Sequence, residues 1–366
     1  MSNFVAWIKD VDVICPFFSH EYSFEEALFN AKKNERHESI KVEMEKALKP
    51  YFKICRRMNR TAKMGFLSAV NVLNKSQMTD GDFDHDRFGT MISTTNASYD
   101  SVYRILDKLY SEGVESVSPI DFTYSVGNSL LSGITINYKL LGPSNVVPSS
   151  EALPLAMAIL ENDEADHMLV SSVNIVTDEN LNYYDQFDFI KDDAGLLIKE
   201  QAVSIILEKE DSKSHDVSCY IKNTAQIHKS RLKSNIPKKC DSEYDIDTNV
   251  ELSEFDEEDF KKAVIKAANG EMCDVALLCS FGSGQMRDAE NKAVKDIMSN
   301  AKTYVLSDVF GMNLGSSFML NVAAAVEILR NQKLPYGEKS EKPIKNIFVN
   351  GFDDIGNIIS GVVSCN

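Results

Sequence analysis

The chain lacks any run of about 18 apolar residues, the length that a membrane-spanning helix requires. It also lacks an N-terminal basic region followed by an apolar core, which is the pattern of a secretory signal. These two absences exclude a transmembrane helix and predict a cytoplasmic protein with no membrane partner.

Basic residues are few relative to acidic ones, 39 against 55, so the formal net charge is −16. Nucleic acids and anionic membrane surfaces both attract positively charged protein surfaces. The charge therefore argues against either one as the main partner of this chain.

Paired cysteine motifs are absent as well. The seven cysteines are scattered along the chain, and none belongs to a Cys-x-x-Cys motif. In a cytoplasmic protein such cysteines are expected to be reduced, and here they are expected to be mostly structural.

What the chain does have is the composition of a globular protein with a large core. Its 366 residues are 43% hydrophobic and 26% charged. A chain of this length fits either two domains or one large duplicated α/β unit.

Short apolar runs alternate with amphipathic segments along most of the sequence, a pattern typical of sheets covered by helices on both faces. Predicted strands cover 4–8, the start of 88–95, 168–173, 202–207, 275–279, 303–306, 347–349 and 358–363. Predicted helices cover 34–48 (an exposed insertion), 64–73, 100–112, 152–162, 256–269, 287–299 and 318–329. The polar stretch 208–260 is predicted to connect two halves of the chain.

Three motifs look like catalytic frames from which the reacting residue has been removed. Residues 142–152 begin with a Gly-Pro turn and place Glu151 eight residues after Pro143. Residues 280–284 read Ser-Phe-Gly-Ser-Gly, and residues 307–315 contain Ser307 and Met312. Asn128 and Gly133 precede the first motif, and a tail motif begins with Asn350 and Gly351.

In this order the motifs resemble those of the β-ketoacyl synthases along most of the chain. The resemblance puts Glu151 at the position of the nucleophilic cysteine and Phe281 at the position of the first catalytic histidine. It puts Met312 at the second histidine and Ser307 at the lysine. None of the six histidines (20, 37, 85, 167, 215 and 228) falls at a required motif position.

The resemblance implies an α/β fold of the duplicated thiolase-like type, with two parallel-rich mixed sheets in a layered αβαβα arrangement. Residues 1–208 would form the half that carries the degenerate nucleophile turn. Residues 209–366 would form the half that carries the two degenerate histidine loops.

Condensation needs a thiolate to accept the acyl chain and imidazoles to exchange protons and stabilise an oxyanion. Neither Phe281 nor Met312 can donate a useful hydrogen bond or transfer a proton. We therefore predict a protein that does not condense, and we expect no thiol or imidazole where Glu151, Phe281 and Met312 converge. No metal and no cofactor is expected.

A ketosynthase-like chain without these residues resembles the chain-length factor (ketosynthase-beta) subunit of type II polyketide synthases, a pseudoenzyme, in which glutamine usually replaces the cysteine. The resemblance implies a heterodimer with an active β-ketoacyl synthase that shapes the tunnel for a growing poly-β-ketone. The acyl carrier protein would bind mainly through that partner. The predicted tunnel and interface residues are Phe122, Tyr124, Ser125 and Asn128.

Other interpretations of the same residues stay open. One alternative is a malonyl-acyl-carrier decarboxylase, for priming, that uses the Glu151 pocket, and another is an independent hydrolase that uses Ser149 or Ser150. A third is that Glu151 does no more than stabilise a helix N-terminus through the helix dipole. For Phe122 and Tyr124 the alternative is that they are ordinary core or interface aromatics.

Overall fold

A computed structural model of the chain gives the fold. It describes residues 4–16, 23–32, 39–79, 83–95, 98–148, 150–178, 181, 198–213, 215–229, 255–279, 284–313, 315–353 and 355–366.

The described strands form one sheet of ten, in the order β3-β2-β4-β5-β1-β6-β10-β9-β7-β8. The strands are β1 Ala6–Ile14, β2 Phe88–Ser93, β3 Ser144–Val147, β4 His167–Asn174, β5 Gln201–Glu208, β6 Cys219–His228, β7 Val275–Leu278, β8 Lys302–Val305, β9 Asn346–Phe352 and β10 Asn357–Cys365. The first five strands and the last five follow the same spatial order, third-second-fourth-fifth-first, so the topology is repeated.

Within each half the pairing is mixed in the same way. Strand β2 pairs in parallel with β3 and β4, and β7 pairs in parallel with β8 and β9, while the other pairs are antiparallel. A short antiparallel contact from Ala6↔Ile221 to Ile8↔Cys219 joins the two halves. The predicted thiolase-like α/β fold is confirmed, with the two half-sheets hydrogen-bonded to each other through β1 and β6. The division into domains at residue 208 stays a prediction.

Helices follow most of the strands. The α-helices of the described residues are α1 Phe24–Asn30, α2 Glu45–Leu48, α3 Phe52–Cys55, α4 Arg60–Lys75, α5 Tyr99–Glu112, α6 Pro119–Thr123, α7 Ser129–Tyr138, α8 Ala152–Glu161, α9 Glu257–Ala268, α10 Gly284–Ile297, α11 Ser307–Phe310 and α12 Ser317–Asn331. Side chains that accept hydrogen bonds from the first turn start several of them, Asn59 for α4 and Asp256 for α9.

Successive side chains of a strand point to opposite faces of the sheet, so helices can pack on both faces and form layers. In β9, Ile347 and Val349 pack in the same cluster as α8 and α12, whereas Phe348 packs in the cluster of α9 and α10. Helix α4 packs with α7 against the other outer face of the sheet. Helices α8 and α12 therefore form the middle layer, and residues 318–329 of α12 are all buried.

Two predicted elements differ from the structure. Of the helix expected over 34–48, residues 34–38 lie outside the described residues, residues 39–44 are not helical, and the last four residues form α2. The polar connection expected over 208–260 contains β6, a sheet strand whose polar side chains are exposed or only partly buried. No helix among the described residues is both long enough and apolar enough to cross a membrane.

Candidate functional site

Glu151 lies on the turn between β3 and α8 and is the residue immediately before the helix. Its side chain makes no capping hydrogen bond to the helix backbone. Instead, Glu151 Oε1 accepts a hydrogen bond from Gln226 Nε2 on β6. The carboxylate therefore joins the turn of the first half to a strand of the second half, and stabilising a helix N-terminus is not its only role.

A chain of polar side chains continues from Gln226 to the end of the sheet. Gln226 Nε2 also donates to Asn357 Oδ1 at 3.0 Å, and His228 Nδ1 lies 2.9 Å from the same oxygen. Asn357 Nδ2 donates to Asp353 Oδ2 at 2.9 Å. The backbone N–H of Ser150 donates to that carboxylate at 3.2 Å, which closes the loop.

We call these six residues the Glu151 network: Ser150, Glu151, Gln226, His228, Asp353 and Asn357. Asp353 and Asn357 are buried, while Gln226 and His228 are exposed on one side of β6. His228 is an imidazole that reaches Glu151 through two amide side chains. The expectation that no imidazole lines the space where Glu151, Phe281 and Met312 converge stays a prediction, because Phe281 lies outside the described residues.

His228 and Gln226 are the site residues that the sequence motifs do not reveal. Both lie in the stretch that the sequence assigns to a polar connection. The register of β6 against β10 sets Gln226 opposite Ile359 and His228 opposite Asn357. Recognising β6 as a partner of β10 is the one signal that would have found them.

Met312 and Ser307 line a space with almost no free volume. Met312 is 2% exposed, and its carbonyl oxygen accepts from Lys199 N at 3.0 Å. With Cys279 and Gln201 both residues line a cavity of about 10 Å³. That volume holds about one water molecule, so the space around Met312 is too small for an acyl substrate.

Cys279 is a thiol that was not expected beside Met312. It is 2% exposed, and burial raises the pKa of the thiol well above its usual range. A nucleophilic cysteine needs a lowered pKa and access to substrate. Cys279 has neither, so its presence does not restore condensing chemistry.

The hydroxyl of Ser150 is not presented as a nucleophile. Ser150 is 1% exposed, and its Oγ lies 3.4 Å from the carbonyl oxygen of Gly315, to which it donates. Ser149 and Phe281 lie outside the described residues. The proposed convergence of Phe281 with Glu151 and Met312 therefore stays a prediction, although Met312 packs in one cluster with Ile227 and Ile358, the neighbours of network residues.

The four predicted tunnel residues do not face one common space. Tyr124 lines a cavity of about 770 Å³ beside α2, α3 and the start of α4. Asn128 lines a second cavity of about 630 Å³ next to the edge strand β3. Phe122 is 67% exposed, and Ser125 donates from its hydroxyl to the Phe122 carbonyl oxygen at 2.7 Å.

The segment 99–141, which holds α5, α6 and α7 and leads into the edge strand β3, carries eleven exposed large apolar side chains. Its large side chains are Tyr99, Tyr103, Leu106, Leu109, Tyr110, Val114, Ile120, Phe122, Val126, Ile136 and Leu141. We call this set the apolar face. Contiguous exposed apolar patches and open sheet edges mark protein interfaces.

Several solved structures share the fold along almost the whole chain. One is a type II polyketide synthase acyl-carrier protein in complex with its ketosynthase bound to the hexaketide, with a TM-score of 0.71 and 12% identity. Two others are the ishigamide ketosynthase/chain length factor and a β-ketoacyl synthase from Burkholderia phymatum, each with a TM-score of 0.76 and 13% identity. Each comparison covers 99% of this chain and 99% of the other.

These similarities show that the chain has the ketosynthase fold. No protein-family model and no curated protein matches the sequence.

Proposed function

We propose that this protein is a non-condensing chain-length factor that pairs with an active β-ketoacyl synthase and shapes the tunnel for the growing poly-β-ketone. The observation that carries the proposal is the state of the degenerate site. Gln226 holds the carboxylate of Glu151, the residue that the motif resemblance assigns to the nucleophile position, and the space around Met312 has room for about one water molecule.

The apolar face supports pairing with a partner. A monomer rarely exposes so many large apolar side chains together, and β3 offers unpaired backbone groups beside them. One of the similar structures is a ketosynthase/chain length factor and another is a carrier protein with its ketosynthase. We propose the same kinds of partner here, with the acidic carrier protein docking mainly on the ketosynthase because this chain carries a net charge of −16.

The proposed tunnel runs along the cavity of about 630 Å³ beside β3, which Asn128 lines. This cavity borders the apolar face, so a partner bound there would close its open side. Phe122 stands on the same face and would present its ring to the partner. We expect the pair to work in the cytoplasm.

Co-expression with a ketosynthase that retains cysteine and both histidines tests the pairing. Size-exclusion chromatography with light scattering should show a 1:1 heterodimer, while the chain expressed alone should aggregate or self-associate. Ile136→Asp on the apolar face should abolish the heterodimer. Ile265→Asp is the matched control, because Ile265 is 58% exposed on α9 and lies outside that face. A monodisperse monomer that does not bind the ketosynthase would refute the proposal.

A second candidate function is decarboxylation of a malonyl-acyl carrier at Glu151. His228 favours it, because an imidazole within the Glu151 network could hold or deliver a proton. An assay of carbon dioxide release by the complex distinguishes the two functions. Under the shaping function, Glu151→Gln and His228→Gln leave the rate unchanged, whereas under decarboxylation each lowers it by at least about tenfold.

A further inference from the structure

A large cavity lies away from the Glu151 network. It has a volume of about 770 Å³ and opens between α2, α3 and the start of α4 on one side and α6 on the other. Its size falls in the range of about 300–1,000 Å³ that is usual for small-molecule sites. We call it the basic cavity.

Positive charge is concentrated around this cavity in an otherwise acidic chain. Residues 46–63 contain seven lysines and arginines and no aspartate or glutamate, although the whole chain has a net charge of −16. Lys49, Arg56, Arg57 and Lys63 from this stretch line the cavity. Clustered cations of this kind focus a positive potential that attracts anions.

These four cations are available to a ligand. Within the described part of the chain, none of them makes an ion pair or a side-chain hydrogen bond. Other charges on the cavity wall are already engaged. Arg60 binds Glu200, its Nε lying 2.6 Å from the carboxylate, and Arg104 lies 3.2 Å from Asp121.

The floor of the basic cavity is apolar. Met44, Leu48 and Met58 are at most 8% exposed and line it from the side of α2 to α4. Ile120 and Tyr124 of the α6 region face them across the opening. Glu45 is the one lining carboxylate that is not paired with an arginine in the described residues.

We infer that the basic cavity binds a small anionic amphiphile, with a carboxylate or phosphate head group on a hydrocarbon body. The head group would meet the guanidinium groups of Arg56 and Arg57, and the hydrocarbon would cover Met58 and its apolar neighbours. A concave apolar floor below the cations favours a chain-like ligand over the flat surface of a folded acidic protein. The inference does not depend on the proposed function.

Calorimetric titration with three probes tests the site on the protein in the form in which it purifies, alone or with its ketosynthase. Dodecanoate and dodecyl phosphate carry the anionic head, while dodecanol has the same chain without charge. We expect both anions to bind with one-to-one stoichiometry and dodecanol to bind at least about tenfold more weakly, because hydrogen bonds to charged groups are the stronger ones. Equal binding of all three, or no binding of the anions, would overturn the inference.

Variants of the lining residues identify the side chains that bind the ligand. Arg56→Gln with Arg57→Gln should raise the Kd for dodecanoate about tenfold. Lys339→Gln with Lys342→Gln is the matched control, because these exposed lysines lie outside the cavity lining. Phe52→Asp, at a lining side chain that is 65% exposed and lies outside the apolar face, should weaken binding without risk to the core.

In a final titration an acidic carrier protein replaces the dodecyl probes. If the double arginine variant loses carrier binding but keeps dodecanoate binding, the surface docks a protein and the inference is wrong. Circular dichroism of each variant confirms that it is folded, so unchanged dodecanoate binding by the double variant also overturns the inference.

Discussion

Asp353→Asn should lower the free energy of unfolding by about 3 kcal/mol. Asp353 is fully buried, and its Oδ2 accepts from Ser150 N at 3.2 Å and Asn357 Nδ2 at 2.9 Å. Its Oδ1 accepts from Ile355 N at 3.2 Å and Asn357 N at 2.9 Å. An asparagine keeps one acceptor, so two of these donors lose their partner whichever way the amide turns. Each lost hydrogen bond to a charged group costs about 1.5 kcal/mol.

Urea unfolding measures this loss as a shift of the midpoint at an unchanged slope. Asp308→Asn is the matched control, because its carboxylate lies 2.8 Å from Arg287 Nη2 in a half-exposed ion pair. Pairs of that kind contribute about 1 kcal/mol or less. If Asp353→Asn costs no more than Asp308→Asn, the Glu151 turn is not held by the network, and our description of the site is wrong.

Three further outcomes follow from the described residues. Phe122→Ala should lengthen the products of the ketosynthase complex, measured by mass spectrometry, and unchanged lengths in an intact complex would remove Phe122 from the tunnel. Burial raises the pKa of Asp12 to about 7. Between pH 4 and 7 the folded state therefore binds one proton more than the unfolded state, so the free energy of unfolding should fall as pH rises from about 4 to 7. Asp12→Asn should flatten that slope in unfolding titrations. Cys279 should resist iodoacetamide until the protein unfolds, while the half-buried Cys365 should react before Cys279 does. Early labelling of Cys279 would mean that a pocket gives the reagent access to it.

Elements with continuous apolar runs could be predicted from the sequence. Strands β4 and β5 and helix α12 are buried on nearly all sides, so their residues carry an unbroken hydrophobic signal. The order of the motifs along the chain predicted the fold, which the structure confirms.

Strand β6 could not be predicted in the same way. Several of its side chains are polar and only partly covered, so the strand reads as a loop. The Glu151 network depends on the register that sets His228 opposite Asn357, and pairing between distant strands leaves no local pattern in one sequence. The thiol of Cys279 beside Met312 escaped notice for the same reason, since only the fold brings them together.

The central claim is that this chain supplies no reacting group to condensation. The most direct measurement is the single-turnover condensation rate of the heterodimer carrying Glu151→Ala, compared with a heterodimer whose ketosynthase lacks its cysteine. We predict that Glu151→Ala condenses at the unmodified rate and that the cysteine variant does not condense. A loss of tenfold or more from Glu151→Ala, in an intact heterodimer, would contradict the claim.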